Sequence, residues 1–105
     1  MTSSGNGEQP FHVGFSEAIA QTIRRLQRQA SQEGRGKDFL SALRKAVDRL
    51  QSSPRGFGEP LYRLPVLCMQ VRCAVLGPMS IYFGVCEDRP LVFIMAVKLL
   101  SAKGH

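Results

Sequence analysis

The chain has 105 residues, 44% of them apolar and 21% charged, enough for one hydrophobic core and too few for two domains. Fourteen Lys and Arg against eight Asp and Glu give a formal +6, which favours an acidic or polyanionic partner through long-range attraction. No stretch offers the roughly 18 uncharged apolar residues of a membrane span, and the N-terminus lacks the basic-then-apolar order of a secretory signal, so a cytoplasmic protein with no membrane partner is expected.

Residues 1–10 are rich in Ser, Gly and Asn and almost free of large apolar side chains, so little buried area offsets the entropy of ordering them; a disordered tail is expected there, ahead of one domain over 11–105. Phe11, Val13 and Phe15 then alternate with His12 and Gly14 as in a short strand, which ends at Ser16, a residue suited to capping a helix. From there Phe15, Ile19, Ile23, Leu26 and Ala30 recur at helical spacing, with Arg24, Arg25 and Arg28 on the outer face. The segment Glu33-Gly34-Arg35-Gly36 breaks the period. Phe39, Leu43, Ala46, Val47 and Leu50 define a second stripe that lasts to Ser53-Pro54, and so short a break predicts an antiparallel helical hairpin.

Beyond the turn-forming segment 55–60 the period changes to two. Leu61 to Leu64 is a short extended piece before Pro65; Met69, Val71, Cys73 and Val75 alternate with Gln70, Arg72, Ala74 and Leu76; and Gly77-Pro78 turns the chain into Met79, Ile81, Phe83 and Val85, a hairpin pattern. After a turn at 87–90, Leu91 to Val97 is continuously apolar, the mark of a strand covered on both faces near the middle of a sheet. The predicted fold class is α+β: an N-terminal strand, a helical hairpin and then an antiparallel sheet, in the order β-α-α-β-β-β.

The three cysteines, Cys68, Cys73 and Cys86, cannot all pair within one chain and have no histidine beside them to complete a zinc set, so reduced thiols are expected. There is no phosphate-binding loop, dinucleotide-binding glycine pattern, nucleophile elbow or His-Glu-x-x-His, and no cofactor is implied. Only two tyrosines and no tryptophan accompany the basic residues, a poor platform for stacking single-stranded nucleic acid.

The stretch Phe57-Gly58-Glu59-Pro60-Leu61-Tyr62-Arg63-Leu64, followed by Arg72, by Ile81-Tyr82-Phe83-Gly84-Val85 and by the apolar last strand, resembles the RelE/ParE superfamily of small toxins over roughly residues 11–100. The resemblance implies a toxin of a type II toxin–antitoxin module, held by an acidic antitoxin, that acts either as a ribosome-dependent mRNA endonuclease or as a poison of DNA gyrase. Cleavage by the RNA's own 2′-hydroxyl needs a proton acceptor, cations for the crowded phosphate and an acid for the leaving oxygen. Carried over by position, Arg72 and Arg63 would contact phosphate and serve catalysis with Lys98 on the last strand, and Lys103 and His105 in the tail would add to an RNA-binding set. Two positions depart from the family's pattern. An arginine common ahead of the apolar-Tyr segment is absent from Met79-Ser80-Ile81, and the last strand closes on Lys98-Leu99-Leu100 instead of an arginine, histidine or tyrosine. A non-catalytic protein-binding module on the same scaffold is therefore the alternative expectation.

Overall fold

A computed structural model describes residues 10–101; the expected N-terminal tail, apart from Pro10, and the candidates Lys103 and His105 lie outside the described residues. Strand β1, His12–Gly14, leads into helix α1, Glu17–Gln32. The Ser16 hydroxyl accepts a hydrogen bond from the Ile19 amide at 3.1 Å, which satisfies one of the orphan donors at the start of the helix, and Glu17 adds negative charge at its positive end. Helix α2, Gly36–Ser52, follows after three residues and stops where Pro54 cannot continue it. The Phe11 amide donates to the Gln51 carbonyl at 2.7 Å, so the entry to β1 is tied to the last turn of α2.

Four strands complete the sheet: β2, Glu59–Leu64; β3, Met69–Leu76; β4, Met79–Cys86; and β5, Leu91–Leu99. The spatial order is β1-β5-β4-β3-β2, antiparallel throughout except that β1 runs parallel to β5, which makes the sheet mixed. The α+β layout is the one read from the sequence, with the short extended piece before Pro65 present as a paired strand.

Both helices lie on one face of this sheet. Leu26 and Ala30 of α1 and Phe39, Ala42, Ala46 and Leu50 of α2 pack on Ala74, Met79, Ile81, Phe83, Val85, Val92, Ile94 and Val97. Phe57, in the connection to β2, stacks on Phe83 with ring centroids 5.5 Å apart. The next residue, Gly58, has φ +70, and a Cβ there would fall 2.3 Å from the Cys73 carbonyl oxygen, so this crossing admits only glycine.

The expectation of two covered faces for β5 holds for position and fails for cover. Strand β5 does sit between β1 and β4, and Val92, Ile94 and Val97 are buried under the helices. Phe93 and Met95 point the other way and are each 41% exposed, because among the described residues no element crosses that side.

Candidate functional site

The sheet separates the sequence-derived candidates. Arg72, opposite Phe83 in the β3–β4 ladder, faces the helical layer and is only 8% exposed. Its Nε donates to the Phe57 carbonyl at 2.8 Å, Nη2 to the Gly58 carbonyl at 3.1 Å and Nη1 to Oε1 of Gln70 at 2.9 Å. A planar fork of donors thus locks the Phe57-Gly58 crossing against β3, and every guanidinium nitrogen is engaged.

Arg63 sits on the edge strand β2, half exposed, and grips Glu87 at the end of β4 through two bonds, Nε to Oε2 at 2.5 Å and Nη2 to Oε1 at 2.7 Å. The guanidinium holds the Glu87 carboxyl below the usual carboxylate range, and the carboxylate raises Arg63 in turn. Neither arginine presents free donors to the other side of the sheet.

Lys98 is on that other side. It stands opposite Ser80, and its Nζ lies 5.3 Å from the centroid of the Tyr82 ring, a cation–π contact between neighbouring rows. Across the ladder from Tyr82 come Cys73 and then Glu59. Glu59 has no ion-pair or hydrogen-bond partner among the described residues, and Lys98 meets no carboxylate there.

Apart from these two charges the exposed side chains of the open face are largely apolar. Tyr62, Val75, Phe93 and Met95 are exposed on it, and Leu61, the extra residue of a bulge in β2, is exposed beside Tyr62. Its centre is Gly84, over which the thioethers of Met69 and Met95 fold: a Cβ on Gly84 would meet the Met69 sulfur at 2.3 Å and the Met95 sulfur at 3.4 Å. Unbranched, polarisable methionines above a strand glycine make a surface that reshapes itself to what lies on it. Among the described residues no three His, Cys, Asp or Glu converge as metal ligands, and Cys68, Cys73 and Cys86 are unpaired thiols.

The outer surface of the helices has the opposite character. Residues 17–52 hold eight Lys and Arg against four Asp and Glu, four of the chain's six excess positive charges. Arg24 is paired with Glu17 at 3.1 Å, while Arg24 and Arg28 with Gln27, Ser31 and Gln32 line a shallow groove of about 480 Å³.

A second groove, of about 520 Å³, opens at the end of the molecule between the close of α2 and the β4–β5 turn. Arg55 organises it: the guanidinium covers the Phe11 ring at 4.9 Å, and Nη2 donates to the Cys86 carbonyl at 3.0 Å. Sequence reading passed over Arg55 because Pro54 and Gly56 marked it only as a turn. It also missed Met69, Phe93 and Met95 as a surface, although the unbroken apolar run of β5 carried that signal.

Comparison with protein-family models, with curated proteins and with solved structures finds no significant match to this chain. Among the described residues no helix is long and apolar enough to cross a membrane.

Proposed function

We propose that this chain is a RelE/ParE-like toxin-scaffold protein of a type II toxin–antitoxin module, and that it acts by binding protein, with an acidic antitoxin held on the basic helical layer. The observation that carries the reading is the division of the charge. The cations needed to steady a scissile phosphate do not share a surface among the described residues: Arg72 is buried in hydrogen bonds to carbonyl groups, Arg63 is committed to Glu87 at the sheet edge, and Lys98 stands on the open face. A partner, by contrast, meets a net positive field over α1 and α2, which steers an acidic chain and disfavours a basic one. Of the two activities that the family resemblance implies, poisoning of DNA gyrase by binding is the better supported, and mRNA cleavage the less.

Inducing the chain alone in a bacterium is expected to arrest growth while ribosome-bound mRNA stays intact. Co-expression of the small acidic protein expected in the neighbouring reading frame relieves the arrest, and the double reversal Arg25→Glu, Arg28→Glu abolishes that relief. Unimpaired growth at verified expression defeats the toxin reading. Codon-specific mRNA cleavage that disappears in Lys98→Ala restores the endonuclease.

A further inference from the structure

We propose that the open sheet face is a two-fold interface between two copies of this chain. The first reason is the pattern of β5. Its seven-residue apolar run is written for cover on both sides, the helices supply one side, and Phe93 and Met95 remain outside on the same face as the exposed Tyr62 and Val75. A second sheet of the same composition, packed about 10 Å away, supplies the other.

The second reason is charge. Among the described residues the open face of β2 to β5 carries Glu59 on one outer strand, β2, and Lys98 on the other, β5, in adjacent rows of the ladder. A two-fold axis that runs along the strands between β3 and β4 lays β2 of one copy over β5 of the other. It brings Glu59 to the partner's Lys98, and by the same operation Lys98 to the partner's Glu59. Among the described residues each charge lacks an opposite, and the pair supplies one to each, so the contact is made twice. An acidic helix or a nucleic acid laid on this face would meet one cation and would leave Glu59 facing like charge.

Size and the remaining charge agree with this arrangement. Four strands about 4.8 Å apart and some eight residues long cover on the order of 500 Å² in plan, and the relief of the side chains brings this toward the roughly 800 Å² per partner of an ordinary stable interface. The two basic helical layers end on the outside of a four-layer stack, separated by the two sheets and roughly 30 Å apart, well beyond the screening length at physiological salt. The interface therefore leaves the surface assigned to the antitoxin free, and it does not depend on that assignment.

The test is sedimentation of the full chain alone, from micromolar to hundreds of micromolar, with circular dichroism to verify folding. The wild type is expected to sediment as two chains. Glu59→Lys and Lys98→Glu, both on exposed positions, each raise the dissociation constant about tenfold, and the double exchange returns it to within about threefold of the wild type. Arg25→Glu leaves it unchanged, which separates this result from any failure of antitoxin binding. A monomer at every concentration overturns the proposal, as does a dimer indifferent to both single reversals or not restored by the double one.

Discussion

The two faces of one sheet have been treated in opposite ways. On the helical side, residues from six elements converge until Phe39, Phe83, Ile81 and Met79 are fully buried, and the buried Arg72 is bonded at every nitrogen. On the open side the same strands present Tyr62, Val75, Phe93 and Met95 to solvent, with single charges at the margins. Burial on the first face decides whether the chain folds. The second is free of that duty, and what it carries is available for recognition.

Two phenylalanines ten residues apart give the sharpest contrast. Phe83→Ala empties a closed, close-packed site and is expected to cost about 4 kcal/mol of unfolding free energy in urea titration. Phe93→Ala, read at concentrations too low for association, is expected to cost below about 1 kcal/mol. Equal losses would mean that the open face is covered within a single chain, and the comparison would collapse.

The arginines repeat the contrast at smaller scale. Arg72→Ala leaves the Phe57 and Gly58 carbonyls without their donors and is expected to cost about 3 kcal/mol. Arg63→Ala breaks only an exposed pair and should leave the midpoint of unfolding almost where it was. A mild Arg72→Ala combined with lost toxicity would return that residue to a functional role.

Smaller still is the cap of α1: Ser16→Ala removes the acceptor for the Ile19 amide and is expected to cost about 1 kcal/mol in the same titration. Smallest is the Arg63–Glu87 pair. Glu87 has a lower pKa in the folded chain than in the unfolded one, so its contribution is present at neutral pH and is lost as pH falls through the carboxylate range. Glu87→Gln should flatten that part of the profile of thermal midpoint against pH, and an unchanged acid limb would show that the pair adds nothing.

Much of this architecture is local in origin. The period of 3.6 in Ile19, Ile23, Leu26 and Ala30, the cap at Ser16, the break at Gly34 and the shift to period two after Pro60 are properties of neighbouring residues, so the helical hairpin and the strands were legible before any coordinates. The candidate site was much less so. Arg63 and Arg72 both read as strand arginines, yet their fates depend on Glu87 and on the Phe57-Gly58 carbonyls, partners brought close only by the ladders and by the crossing at Gly58.

By itself the sequence determined an α+β chain with two amphipathic helices, a run of apolar strands and a basic surplus, because periodicity and composition act over a few residues at a time. Only the tertiary structure decided that Arg72 turns inward while Lys98 turns outward, and that the apolar run of β5 keeps one side bare. Those outcomes depend on which strands become neighbours and which face the hairpin covers, and contacts between residues distant in the chain set both.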